Sequence, residues 1–548
     1  MTILEKNIQA LLSGVNEPLG NKLLNFIQNK TCSRFNIDEN LNIYDKTHNV
    51  FMYENLEEEI NFFYQSILEK TPRYPFICIY GIGNALLIKN LAKHYKHLFV
   101  FESEIELFIL ALSTIDLSEE LCSGKIYLVD IEEERVDIQL LILFDMKDMF
   151  EYLSLYEMFV NNVYCKKFYE DIWHKADELC EKNIKVVIRN LNSSLCIGFE
   201  CYSHLLQNIP SMLESIPFQR ILSQRKNKFE NAIVVSAGPS LAKQLPLLKA
   251  YQEKAVIFCA DGALSMLEKE GIVPDYVTNL DFTDLAMKFF QNKENLKQSI
   301  IALECATHPN IVRSLNAENC MIVLRNKALY QRFNLNDFGY IDTGTHVSHF
   351  SYTLALALGF KNIIMIGQDL AFDEEGNSHS KGFDFGEKFS GEENIDKLKV
   401  TAYAGKGEVL THITWNDYRI KLEYLFACND QKAKFYNATE GGARINFTEE
   451  LSFKECCEKL LTKEKPKFEL PKSLTKNRSD KLLVKFKEKI QKDQENAKRF
   501  LDDALALKQI LENILSKDFL LPLEFLEKVY QNIENFNHSL DEDEFIQD

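Results

Sequence analysis

Four short apolar runs in the middle of the chain each end in residues suited to holding an anion or a sugar. Asn231 to Ser236 runs into Ala237-Gly238-Pro239-Ser240, Ala255 to Cys259 into Asp261-Gly262, Tyr276 to Leu280 into Asp281, and Asn362 to Ile366 into Gly367-Gln368-Asp369. A glycine turn opening a helix presents backbone N–H groups to a phosphate, and the Ser240 hydroxyl adds a donor there. The same tripeptide is also an ordinary helix start with proline in its first turn. Asp261 and Asp281 read either as ligands of a ribose, sugar or metal, or as helix caps. Asp281 with Asp284 forms a DxxD pair able to hold a hard cation. Asp342-Thr343-Gly344-Thr345 precedes a helix predicted over Val347 to Leu358, which makes it an anion site or a threonine cap. The loop after Asp369 carries Asp373, Glu374, Glu375, His379, Ser380 and Lys381. An imidazole takes a proton near neutral pH, so His379 is a candidate general base as well as a plain solvated loop residue.

These turns need elements to position them. Strands are predicted at 231–236, 255–259, 276–280, 300–303, 321–324 and 363–366, alternating with helices such as Ala263 to Glu270. That alternation predicts a mostly parallel sheet covered by helices. In such sheets ligands bind beyond the carboxyl ends of the strands, where the strand order reverses.

A second α/β pattern lies nearer the N-terminus. Residues 1–70 read as helical, from the spacing of Ile8, Leu11 and Leu12 and of Leu23, Leu24 and Ile27. Phe76 to Tyr80 is a predicted strand, Gly81 to Asn84 its turn, Leu86 to Tyr95 a helix, and Leu98 to Phe101 a strand ending at Glu102. Further strands are expected at 126–129 and 140–144. Gly81, Gly83 and Glu102 form the pattern of ribose recognition and resemble an S-adenosylmethionine-binding sheet. Beyond a linker at Thr462 to Lys467, apolar residues from Leu483 to Leu511 step at helical intervals. Phe519 to Phe536 supplies another helix, and the acidic tail from Asp541 to Asp548 is expected to fray. The expected fold is α/β, with two Rossmann-like parallel-sheet domains and an all-helical C-terminal domain. The expected boundaries are 1–215, 216–460 and 467–548.

Composition narrows the function. A chain of 548 residues suits three to four units at roughly 150 residues each. With 63 basic against 81 acidic side chains, the net charge of -18 argues against a nucleic-acid binder or a protein docked on an anionic membrane. No stretch approaches the roughly 18 apolar residues of a membrane span. The start has no signal-peptide layout. The 13 cysteines show no CxxC pair, so a zinc site is not expected and no metal ligand set is assigned. Scattered thiols suit a reducing compartment, and a cytoplasmic location is expected.

VVSAGPSL, CADGAL and GIVPDYVTNLD resemble the core of the motility accessory factor (Maf) proteins, which are bacterial flagellin glycosyltransferases. DTGTHVSHFSYTLALALGFKNIIMIGQDLAF and NATEGGARI are similar to later blocks of that family. The likeness spans roughly Asn231 to Ile445. The core also looks like that of the bacterial sialyltransferases that use CMP-activated sugars, and like the 6-hydroxymethylpterin diphosphokinase group. The resemblance implies transfer of a nonulosonic acid, pseudaminic or legionaminic acid, from its CMP donor to Ser or Thr of flagellin, for flagellar assembly. It implies that Gly238 and Ser240 hold donor phosphate or sugar, and that Asp261, with Gly262, contacts the nucleotide sugar. The sialyltransferases carry asparagine at the position of Asp261. Thr343, Gly344 and Thr345 would meet the leaving phosphate, and Asp281 would belong to the same substrate-binding rim. His379 resembles their general base, Gln368 and Asp369 would shape the site, and Glu440 is the alternative base or an acceptor contact. No cofactor is implied beyond the CMP-sugar, with Mg²⁺ as the one optional addition.

Two other functions compete. A small-molecule pyrophosphokinase would use ATP and Mg²⁺ with Asp281 and Asp284 as ligands. A non-catalytic flagellin-binding factor would dock through the terminal helices.

Overall fold

The computed structural model of the chain describes residues 2–14, 16–146, 149–191, 195–291, 295–389, 396–515 and 522–541. The chain divides into two compact units, Met1–Ser193 and Ser194–Asp548. Each is built on a parallel sheet with flanking helices, and long helices end the second.

In the first unit a parallel sheet of β4 (Phe76–Tyr80), β5 (His97–Glu102), β6 (Ile126–Asp130) and β7 (Met158–Val160) runs in the order β6-β5-β4-β7. Every residue of β4 is buried, which explains its unbroken apolar sequence. Residues 1–70 are not all helical. Between the helices Glu17–Asn29 and Leu56–Lys70 lie three antiparallel strands, β1 (Phe35–Ile37), β2 (Ile43–Asp45) and β3 (Val50–Phe51). Strands of two or three residues leave no alternation to detect. The run expected as a strand at 140–144 is instead the end of the helix Val136–Phe144. That helix is buried around most of its circumference, so its apolar run has no helical stripe, and periodicity cannot separate the two states.

The second unit carries, among the described residues, a nine-stranded sheet. Its strands are β8 (Asn231–Val235), β9 (Val256–Ala260), β10 (Tyr276–Asn279), β11 (Ile300–Glu304), β12 (Cys320–Arg325), β13 (Tyr340–Ile341), β14 (Asn362–Ile366), β17 (Lys434–Asn437) and β18 (Glu449–Glu450). The order is β13-β12-β11-β10-β9-β8-β14-β17-β18, and every pairing is parallel. The chain lays β9 to β13 on one side of β8, then returns to place β14 on the other. The strand order therefore reverses between β8 and β14. Their register pairs Asn231 with Asn362 and Val235 with Ile366, so both strands end at the same level. Side chains alternate between the two faces. Ile233 and Val235 share one core with Leu241 and Leu245, while Ala232 and Val234 share the other with Phe350 and Leu354.

Two further strands, β15 (Lys397–Thr401) and β16 (Glu408–His412), form an antiparallel hairpin after β14. The expected linker at Thr462 to Lys467 lies against the sheet unit, where Lys465 donates to Asp275 at 2.7 Å; just beyond it, Arg225 donates to the Glu469 carbonyl at 3.1 Å. The helix Lys476–Leu515 packs Phe486 against Phe333, with ring centroids 4.8 Å apart. Arg332 and Asp493 form a buried ion pair beside it. The last described helix is Leu523–Asp541, so Asp541, expected to begin the frayed tail, is helical, while the expected start at Phe519 and residues 542–548 lie outside the described residues. Among the described residues no helix is long and apolar enough to cross a membrane.

Candidate functional site

The reversal between β8 and β14 places the two turns singled out in the sequence side by side. The ladder extends past the strands: Ser236 N–H donates to Ile366 O at 3.0 Å, and Gly238 N–H to Gly367 O at 2.8 Å. No side chain fits at residue 238. A Cβ there would lie 2.1 Å from Asp369 Oδ2 and 2.5 Å from the Gly367 carbonyl. Gly367 itself sits at φ +65°, a left-handed conformation that favours glycine.

The start of the helix Leu241–Tyr251 is not an open anion site. Ser240 donates through Oγ to Asp369 Oδ2 at 2.8 Å and through its backbone N–H to Oδ1 at 3.2 Å. Ala242 N–H donates to Ser380 Oγ at 3.0 Å. An internal carboxylate and a loop hydroxyl thus occupy the first donors. Burial pushes the Asp369 carboxyl up to about 6, against the lowering effect of the Ser240 hydrogen bonds. A phosphate at Gly238–Ser240 therefore competes with a carboxylate that is easily protonated.

His379 reaches the same place from the loop after β14. It lines a cleft of about 120 Å³ with Ser236, Gly238, Gln368, Asp369 and Trp415. Its ring stacks on Phe383, with centroids 3.9 Å apart and planes 6° apart, and meets Trp415 edge-on at 6.4 Å. Burial pushes the imidazole down to about 4, so it is neutral at pH 7. The loop is tied to the β8 turn by Ser380 N–H, which donates to Ala237 O at 2.9 Å. Gln368 is buried, and its Oε1 accepts from Ser236 Oγ at 2.9 Å and from the Tyr352 hydroxyl at 3.2 Å.

A larger cleft of about 710 Å³ opens on the other side of Asp369. Ser240, Lys243, Tyr403 and Glu440 line it, and Asp373, Glu374, Glu375 and Glu408 add an acidic wall. Glu440 adopts φ +56° and spends Oε1 on Phe453 N–H at 2.7 Å, at the start of the helix Phe453–Leu460.

Neither cleft is lined by Asp261, Gly262, Asp281, Thr343, Gly344 or Thr345. Asp261 is buried beside β10. It accepts from Asn279 Nδ2 at 2.5 Å and from Gly262 N–H at 2.7 Å, and burial lifts it to about 7. Asp281 closes a local turn by accepting from Thr283 N–H at 3.1 Å and Oγ1 at 2.9 Å. Among the described residues no group of three or more His, Cys, Asp or Glu is placed to hold a metal. The helix Val347–Ala357 is capped by His346, whose Nδ1 accepts from His349 N–H at 3.3 Å. Thr343 Oγ1, His346 Nε2 and both ring nitrogens of His349 are buried without a hydrogen-bond partner. Gly344 arches over the His349 ring at φ +66°.

The glycine turn of the first unit is filled by its own chain. A Cβ at Gly81 would lie 2.6 Å from Cys165 Sγ, and one at Gly83 would lie 2.3 Å from the Tyr53 hydroxyl. Glu102 is buried and spends its oxygens on the N–H groups of Ile82, Ser103 and Glu104. Burial lifts its carboxyl to about 7.

Four contributors escaped the sequence reading. Gln244 Oε1 accepts from Gly367 N–H at 3.2 Å, while its Nε2 donates to the carbonyls of Ala438 and Thr439. Trp415 walls the smaller cleft, and the Tyr403 hydroxyl shares its one proton between Asn437 O and Leu451 O, each 3.2 Å away. Ser378 contacts His379 Nδ1 at 2.9 Å. Only Trp415 carried a signal, as one of two tryptophans in the chain.

No curated protein sequence matches the chain. A solved structure, the MAf glycosyltransferase from Magnetospirillum magneticum AMB-1, is similar at a TM-score of 0.46 and 17% identity, over 89% of this chain and 78% of that one. Residues 203–375, which include β8, β14 and the turns that follow both, match the family model of 6-hydroxymethylpterin diphosphokinase MptE-like proteins.

Proposed function

We propose that the chain is a glycosyltransferase that moves a nonulosonic acid, pseudaminic or legionaminic acid, from its CMP donor to a Ser or Thr hydroxyl of flagellin. The observation that carries this is the position of Asp369, which lines both clefts at the point where the strand order reverses. Two spaces meeting at one carboxylate suit a reaction that joins two substrates. The larger cleft has room for a nucleotide sugar, and its carboxylates accept hydrogen bonds from the many hydroxyls of a ribose and a nonulosonate. The smaller one suits a single hydroxyl-bearing side chain. His379, neutral at pH 7, takes the proton from that hydroxyl. The oxygen then bonds to the anomeric carbon as the bond from that carbon to the CMP phosphate breaks, and the electron pair leaves on CMP.

The test is incubation with flagellin and a CMP-activated nonulosonic acid, followed by intact-protein mass. The expected result is a gain of one or more nonulosonate residues. His379→Ala should lower the rate by about 10²–10⁴. A rate within a few-fold of wild type would remove His379 as the base.

The match of residues 203–375 to diphosphokinase-like proteins favours a second reading, pyrophosphoryl transfer from ATP with Mg²⁺. It predicts ATP binding that needs Mg²⁺, with no response to CMP.

A further inference from the structure

The ring of His379 can carry its proton on either nitrogen, and only a bare Nε2 or a bare Nδ1 can act as a base. Two groups beside the ring bear on the choice, Ser378 and the Phe389 carbonyl, which accepts a hydrogen bond from the imidazole. Ser378 Oγ lies 2.9 Å from Glu387 O and 2.5 Å from Phe389 O, and both carbonyls only accept. The single hydroxyl proton of Ser378 is therefore spent on the main chain. The same Oγ lies 2.9 Å from His379 Nδ1. With its proton already committed, the oxygen meets Nδ1 only as an acceptor, so Nδ1 must bear hydrogen. Turning the ring over would put a carbon against Oγ and forfeit the bond. The ring plane is held by its stack on Phe383. The main chain holds both residues, since Ser378 and His379 N–H both donate to Glu387 O, at 2.8 and 3.0 Å.

We infer that Ser378 is a positioning residue that fixes His379 as the Nδ1–H tautomer and leaves Nε2 as the proton acceptor in the cleft. The role of that acceptor in transfer rests on the glycosyltransferase reading; the tautomer does not. Oxygen at residue 378 is needed for this, and a threonine provides it.

The test is long-range ¹H–¹⁵N correlation NMR of the full chain with ¹⁵N-labelled histidine at neutral pH. A His379→Gln variant identifies which of the 11 histidine ring systems belongs to residue 379. Wild type should show a pyrrole-like Nδ1 and a pyridine-like Nε2. Ser378→Ala should lose that pattern and Ser378→Thr should keep it. A pyridine-like Nδ1 in the wild type overturns the inference, whether or not the alanine variant folds. So does an unchanged pattern in folded Ser378→Ala. In the transfer assay kcat should fall about tenfold or more in Ser378→Ala and recover in Ser378→Thr, with KM for the donor little changed. A correct tautomer without transfer from a CMP donor would defeat the functional reading and leave the tautomer assignment standing.

Discussion

The Ser240 hydroxyl donates to Asp369 Oδ2 at 2.8 Å, joining two residues 129 apart in sequence that follow the ends of two adjacent parallel strands. The contact places a buried carboxylate where a helix start would otherwise receive an external anion. It also makes that carboxylate the common wall of both clefts.

Replacing this carboxylate should raise stability while lowering activity. Folding lifts the Asp369 carboxyl from 3.8 to about 6, so the fold favours the protonated form. The stability tied to this group is present in acid and is lost as pH rises through about 6. Asp369→Asn keeps an acceptor for Ser240 and avoids the buried charge. It should be more stable than wild type at pH 7.5, by on the order of 2–3 kcal/mol, and the advantage should vanish near pH 4. Denaturant unfolding at both pH values checks this. An advantage that does not change with pH would contradict it.

The turns at the strand ends should tolerate alanine unequally. Gly238→Ala brings a Cβ within 2.1 Å of Asp369, and Gly367→Ala brings one within 2.2 Å of the Ser236 carbonyl. Each should cost about 1–3 kcal/mol or more. Gly441→Ala meets nothing nearer than 3.5 Å and should stay within about 0.5 kcal/mol. Equal losses at all three in thermal unfolding would refute the packing argument.

The ends of these strands were legible in the sequence because burial on both faces makes the strands unbroken apolar runs. The polar residue that ends each run then marks the carboxyl edge. Asp369 and Gly238 were found that way. Their contact with each other was not, because strand order depends on packing across the whole sheet. The helix Val136–Phe144 was misread because burial all round erases the helical stripe. The phosphate expectation at Ser240 did not foresee that the Ser380 hydroxyl accepts from Ala242 N–H, 138 residues away in sequence.

The long C-terminal helix should depend on its ion pair. Arg332 Nη1 donates to Asp493 Oδ1 at 3.1 Å, and both side chains are buried. Asp493→Ala leaves a buried guanidinium without its carboxylate and should cost about 3–5 kcal/mol. Leu505, which is 54% exposed, should cost well under about 1 kcal/mol when cut to alanine. Denaturation of the full chain compares the two, and a neutral Asp493→Ala would contradict the assignment.

In the first unit, Gly83→Ala should destabilise by about 1–3 kcal/mol, because the residue has φ +55° and the Tyr53 hydroxyl lies 2.3 Å from the added Cβ. Removing that hydroxyl with Tyr53→Phe should restore part of the loss. Strict additivity of the two changes would show that the turn is not filled by Tyr53.

The most direct test of the functional account is calorimetry of the full chain with CMP, with ATP and Mg²⁺, and with S-adenosylmethionine. The account predicts that CMP binds selectively and that Lys243→Ala, a change in the lining of the larger cleft, weakens the binding. Binding of ATP that requires Mg²⁺, with no response to CMP, would contradict it and establish the pyrophosphokinase reading in its place.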